Sequence, residues 1–121
     1  MSEKTILVVD DSPTDLRLMT TPLQDQGYRV ITAQDGEEAL EVALKELPNL
    51  IVLDVILPKK NGFQVCRQLK TTPKTEGIKI LLLTSKSQDS DRFWGLKQGA
   101  DEYMTKPFSD DEYLAMIGKM V

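Results

Sequence analysis

A chain of 121 residues, 40% hydrophobic and 28% charged, is expected to form one domain over 1–121, with no room for an output module of ordinary size. The net charge is −4 and Lys and Arg form no long cluster, which argues against a nucleic-acid partner. No apolar run approaches the roughly 20 residues of a membrane span. Histidine is absent and Cys66 is the only cysteine, which excludes Ser-His-Asp and Cys-His catalysis, His-ligated zinc, phosphohistidine donation and an internal disulfide. Met1-Ser2-Glu3-Lys4 lacks a signal-peptide pattern, so the cytoplasm is the expected location.

The first apolar run, Thr5–Val9, reads as a strand and leads straight into Asp10-Asp11. Ser12-Pro13-Thr14-Asp15 then offers an N-cap, a proline at the first helical position and an acid in the first turn. Leu16, Met19 and Leu23 share one face of that helix, and Pro22 predicts a kink in it. Arg29–Ala33 is the second strand. Asp35-Gly36-Glu37-Glu38 opens the second helix, with Ala39, Leu40, Ala43, Leu44 and Leu47 as its inward stripe. Leu50–Leu53 is the third strand, ending at Asp54, and a helix follows from about Phe63 to Lys70. The fourth strand, Lys79–Leu83, runs into Thr84-Ser85, and a fourth helix spans about Asp89–Gln98. That helix contains Trp94, which taken singly reads as a half-buried residue, and Gly95, which lowers helix propensity by about 1 kcal/mol. The fifth strand, Glu102–Met104, ends near Thr105-Lys106-Pro107. Ser109-Asp110-Asp111-Glu112 has capping-box spacing for a fifth helix that turns Leu114 and Ile117 inward.

Ile6–Val9, Leu50–Leu53 and Ile80–Leu83 are apolar at successive positions, as in strands covered on both faces by helices. Five βα units in a row predict an α/β fold, a five-stranded parallel doubly wound sheet. All strand C-termini then lie on one edge, which gathers Asp10, Asp11, Asp54, Thr84 and Lys106. Three crowded carboxylates need cations, and Lys106 alone does not neutralise three acids. A hard dication with oxygen ligands and waters, magnesium in the first place, resolves the conflict. One carboxylate becomes a nucleophile able to form an acyl phosphate. Asp54, alone on the middle strand, is chosen on position, with Asp10 and Asp11 as adjacent metal anchors. Taken singly, Asp11 reads as a helix cap, Thr84 as a strand-end hydroxyl and Lys106 as a solvated lysine. Their joint occurrence at separate strand ends favours a shared site.

The landmarks Val8-Val9-Asp10-Asp11-Ser12, Leu53-Asp54 with Leu57-Pro58 and Asn61-Gly62, Leu83-Thr84, Gly99-Ala100-Asp101 and Lys106-Pro107-Phe108 follow one another in this order. With them the chain resembles, from end to end, the receiver domain of bacterial response regulators. The resemblance implies the flavodoxin-like, CheY-like strand order 2-1-3-4-5. It implies Asp54 as phosphoacceptor and Mg2+ (or Mn2+) held by Asp10, Asp11, Asp54 and the backbone carbonyl of Ile56. Thr84 would hydrogen-bond the phosphoryl group and Lys106 would pair with it, aimed by a cis Lys106-Pro107 bond. Tyr103 would be the aromatic switch, turning inward as Thr84 moves toward phosphate. Ile56 and Lys86 would set the phosphate lifetime, and an apolar Ile56 predicts slow to moderate self-hydrolysis.

The implied partners are a histidine kinase of the CheA type, docking near the first helix and the loop after the fifth strand, and a downstream protein. The latter would meet the face of the fourth helix, fifth strand and fifth helix, where Tyr103 and Lys97 are candidates; the chain would be a monomer or weak dimer. Asp11-Ser12-Pro13-Thr14 and Trp94-Gly95 ahead of Gln98-Gly99-Ala100 look like PilH-type receivers, which serve chemotaxis-like systems controlling type IV pili and twitching motility. This reading is of a switch and not an enzyme beyond self-catalysed phosphotransfer and autodephosphorylation. A magnesium-dependent aspartyl-phosphate phosphatase usually has a second Asp where Ile56 stands. A flavodoxin-like electron carrier would set Asp10-Asp11 against its cofactor phosphate. A pseudo-receiver signalling without phosphate would not need the acids, Thr84 and Lys106 together.

Overall fold

The computed structural model describes residues 3–121; Met1 and Ser2, part of the leader reading, lie outside the described residues. The chain alternates β1 (Thr5–Val9), α1 (Pro13–Asp25), β2 (Arg29–Ala33), α2 (Gly36–Glu46), β3 (Leu50–Leu53), α3 (Gly62–Thr71), β4 (Lys79–Thr84), α4 (Asp89–Lys97), β5 (Glu102–Thr105) and α5 (Asp110–Met120). All neighbouring strands pair in parallel, in the order β2-β1-β3-β4-β5. This is the flavodoxin-like order expected above. No helix among the described residues is long and apolar enough to cross a membrane.

The unbroken apolar strands serve two cores, one on each face of the sheet. Leu7, Val9, Ile51, Leu53, Ile80 and Leu82 pack with residues of α2 and α3, among them Ala39, Ala43, Val65 and Leu69. The alternate residues Ile6, Val8, Leu50, Val52, Leu81 and Leu83 pack with Met19 and Leu23 of α1 and Tyr113 and Ile117 of α5. Successive strand side chains point to opposite faces, so a strand covered on both sides has no solvent-facing position. Each fully buried Leu, Ile or Val side chain favours folding by about 1.5–3 kcal/mol, which fixes the strand register and hence what stands at the strand ends.

The helix starts are set by local chemistry. Ser12 Oγ accepts the Asp15 N–H at 3.3 Å, Asp35 Oδ1 the Glu38 N–H at 2.7 Å, and Ser109 Oγ the Glu112 N–H at 3.1 Å. Asn61 and Gln64 cap α3 reciprocally, at 2.9 and 3.0 Å. Gly62 follows because α3 begins against the backbone of the third strand end: a Cβ there would lie 2.2 Å from the Asp54 carbonyl oxygen.

Two packing expectations need correction, the inward stripes of α2 and of α5. Leu44 and Leu47 are exposed. Leu44 stands a step of about 100° past Ala43 on the helix wheel, off the inward line. Leu47 lies beyond the end of α2, in a left-handed conformation with φ 45°. On α5, Leu114 is only partly buried, and the deeper residue is Tyr113, whose hydroxyl donates to the Met19 carbonyl at 2.7 Å and ties α5 to α1. Pro22 lies buried in the last turn of α1, which runs on to Asp25. Trp94 is half-buried, 52% exposed, on a helix that meets the body of the domain through Gly95.

Candidate functional site

Val9 and Leu53 are register partners on adjacent strands, so the next residues, Asp10 and Asp54, emerge side by side at the strand ends. Both are buried, at 1% and 5% exposure. Each carboxylate has one oxygen fixed by a backbone N–H two residues on: Ser12 donates to Asp10 Oδ1 at 2.9 Å, and Ile56 to Asp54 Oδ1 at 3.0 Å. The other oxygens face one cation, Lys106 Nζ, at 2.6 Å from Asp10 Oδ2 and 2.9 Å from Asp54 Oδ2. Lys106 follows β5, its N–H donates to the Thr84 carbonyl at 2.9 Å, and its bond to Pro107 is cis. Asp10, Asp54, Thr84 and Lys106 therefore meet at the edge that the sheet reading assigns to them.

The third acid on the ammonium is not Asp11. It is Asp15, in the first turn of α1, with Oδ2 at 2.9 Å from Nζ. Asp11 is exposed and makes no ion pair with Lys106. Consecutive residues at a strand end point opposite ways, which sends Asp10 inward and Asp11 out. Among the described residues no three acidic or cysteine side chains are arranged to hold a metal ion. The meeting point of the two buried acids is occupied by the ammonium.

The charges are strongly perturbed. Burial raises the Asp10 pKa above 3.8 despite hydrogen bonds from Lys106 and Ser12. Burial acts the same way on Asp54, but Lys106, the Ile56 N–H and the Thr84 hydroxyl outweigh it and hold that carboxyl below 3.8. Burial disfavours the Lys106 ammonium, yet its three carboxylate partners more than compensate and raise its pKa. Of the two acids, Asp54 is thus the better stabilised anion.

Thr84 is buried, and its Oγ1 accepts the Lys86 N–H at 3.4 Å. Tyr103 is already turned inward, its hydroxyl donating to the Lys86 carbonyl at 2.7 Å. Burial, with Asp91 adding to it, pushes that phenol up to about 12. Gly95 lies against the ring and Leu82: a Cβ there would stand 3.0 Å from Tyr103 Cδ2 and 2.8 Å from Leu82 Cδ1. Arg92 lies over the ring, 5.6 Å from its centroid, and donates to the Tyr103 carbonyl at 3.2 Å. Ile56 is 54% exposed beside Asp54, and exposed Lys86 pairs with Asp91 at 3.8 Å. A cavity of about 420 Å³ opens beside Lys106, lined by Leu18, Met19, Ser85, Pro107 and Phe108 with Asp15 and Asp110.

The model of the response regulator receiver domain matches residues 6–118. Protein PilH of Pseudomonas aeruginosa is 37% identical over 116 residues, covering 96% of this chain and 96% of that protein. The alkaline phosphatase synthesis transcriptional regulatory protein PhoP of Bacillus subtilis is 51% identical over 114 residues, 94% of this chain but 47% of PhoP, so the chain spans about half the length of that relative. Among solved structures, the receiver domain of the sensor histidine kinase PA1611 from Pseudomonas aeruginosa superposes with a TM-score of 0.90 at 27% identity, over 98% of both chains, and holds a magnesium ion in its active-site cleft. The fold, the rim of acids with its lysine and these likenesses agree: the chain belongs to the response regulator receiver domain family, a signalling module of two-component systems.

Proposed function

We propose that this receiver accepts a phosphoryl group from a CheA-like histidine kinase onto Asp54, with Mg2+ or Mn2+. It then signals to a protein target through the face of α4, β5 and α5, in a chemotaxis-like system serving type IV pili. The observation that carries the reading is the Asp54 carboxylate: buried, held anionic, oriented by one backbone N–H and paired with a lysine that can follow the charge onto a phosphoryl group. In the transfer the phosphorus–nitrogen bond of a phosphohistidine breaks as an Asp54 oxygen bonds to phosphorus, and the freed imidazole takes up a proton. Lys106 and Thr84 then bind the phosphoryl oxygens.

The donor set fits a hard dication. Two buried carboxylates share one ammonium, which leaves negative charge uncompensated in a poorly solvated place, and oxygen-only ligands suit magnesium. Asp10 and Asp54 would hold the ion with the Ile56 carbonyl, and the outward-turned Asp11 would join it through water. Bound there, it supplies charge neutralisation for the incoming phosphoryl group. The likeness to PilH, 37% identical over nearly all of both chains, supports the chemotaxis-like reading of the output.

Incubated with acetyl phosphate and magnesium, the protein is expected to gain the mass of one phosphoryl group, and chelation of the metal to prevent the gain. No gain under either condition would reassign the chain to a phosphate-independent interaction module. Lifetime is a separate test. Ile56 places an apolar side chain at the mouth, where it offers attacking water no hydrogen bond. The phosphorylated Ile56→Asn variant should lose its phosphoryl group several-fold faster than wild type, followed by intact mass over time; equal decay would count against this role.

A further inference from the structure

Lys106 spends all three of its ammonium donors on carboxylates: Asp10, Asp54 and Asp15. The first two come from strand ends and are buried. Asp15 comes from the first turn of α1, where Ser12 caps its N–H and Pro13 starts the helix, and its side chain is 39% exposed at the outer lip. We propose that Asp15 is a positioning residue for Lys106, the partner that keeps the ammonium at the rim when a divalent cation takes its place between Asp10 and Asp54. The inference rests on the metal-binding reading above.

The physical reason is competition for the same oxygens. The cation is drawn to Asp10 and Asp54, the two acids that now hold the ammonium at 2.6 and 2.9 Å. Lys106 is largely buried, with its side chain 15% exposed, and a buried charge without a partner is strongly disfavoured. Among the described residues Asp15 is its one carboxylate partner outside the pair. With Asp10 and Asp54 engaged elsewhere, the Asp15 contact becomes the principal one, so it favours the metal-bound state more than the metal-free state. Lys106 then waits beside Asp54, within reach of a phosphoryl group. An acid in the first turn of a helix is also favoured by the helix dipole, but that role involves no contact with Lys106.

Calorimetric titration of the metal-free protein with magnesium chloride separates these cases. Asp15→Asn is expected to bind magnesium about fivefold more weakly, the scale of one partly exposed ion pair. Asp110→Asn, which removes a charge lining the same cavity but makes no ion pair with Lys106, should bind within about twofold of wild type, as a screened surface charge does. In a Lys106→Met background the Asp15→Asn change should have no more effect than Asp110→Asn. Unchanged or tighter binding by Asp15→Asn, or the same loss with and without Lys106, overturns the proposal. Failure of the wild type itself to take up magnesium would instead remove the metal-binding reading, and this inference with it.

Discussion

Asp54→Asn is expected to take up no phosphoryl group from acetyl phosphate and magnesium, while Asp10→Asn and Asp11→Asn remain phosphorylatable at reduced rates. The three acids are close in sequence pattern but not in environment. Asp54 has its carboxylate held below the ordinary pKa, oriented by Ile56 and flanked by Lys106 and Thr84. Asparagine there keeps one acceptor oxygen, which can still take the Ile56 N–H, and Lys106 keeps Asp10 and Asp15, so the fold survives while the nucleophile is gone. Asp10 is raised in pKa by burial and shares the lysine. Its amide should slow phosphorylation by about 10–100-fold, the usual cost of disturbing a metal's supporting groups. Asp11 is exposed and makes no ion pair with Lys106, so its amide should cost less than that of Asp10. Intact mass gives the rates, and cleavage of the adduct by hydroxylamine identifies an acyl phosphate. Undiminished uptake by Asp54→Asn, with the label moved to Asp10, would show that position and charge had been misread.

The pattern of apolar runs ending in polar residues carried most of the fold and the two strand-end acids, because a parallel sheet leaves no freedom about which edge its C-termini share. Thr84 and Lys106 were legible for the same reason. Asp15 was not. An acid three residues after a Ser N-cap is fully explained by helix capping and the dipole, and its bond to Lys106 joins positions 91 residues apart. The outward turn of Asp11 was available from strand alternation, but adjacency to Asp10 suggested a joint role instead. Tyr113 and Ile117 have the i, i+4 spacing of a buried stripe, and an aromatic with a polar tip was passed over for the plainer Leu114. The close seat of α4 on Tyr103 through Gly95 depends on where two elements meet, which local sequence does not encode. A glycine read as a weak point in a helix is the contact that brings that helix down onto the Tyr103 ring.

Lys106→Met is expected to reverse the response of stability to acid. In the wild type, Asp54 is held below 3.8, so its contribution is present above that value and is lost as pH falls through its folded pKa. The Lys106 ammonium, raised above 10.5, contributes stability below that value, which is lost as pH rises through its folded pKa. Asp10, raised above 3.8, already opposes folding at neutral pH and is relieved on acidification. Methionine keeps the volume and removes the ammonium. Two buried carboxylates then face each other with backbone N–H groups and the Thr84 hydroxyl as their remaining support, and both pKa values rise through burial and mutual repulsion. A folded state that binds more protons than the unfolded chain gains stability as pH falls. The variant should therefore be less stable than wild type by about 3–5 kcal/mol at pH 7, the scale of a buried charge left without its partner, and should recover part of that loss by about pH 5. Urea unfolding at both pH values, with the slope unchanged, measures it directly. Magnesium should stabilise the variant more than the wild type, since the ion then meets two acids with no lysine to displace. A variant as stable as wild type at pH 7, indifferent to acid and to magnesium, would mean that the rim tolerates its two acids without any cation, and the electrostatic basis of the site would be lost.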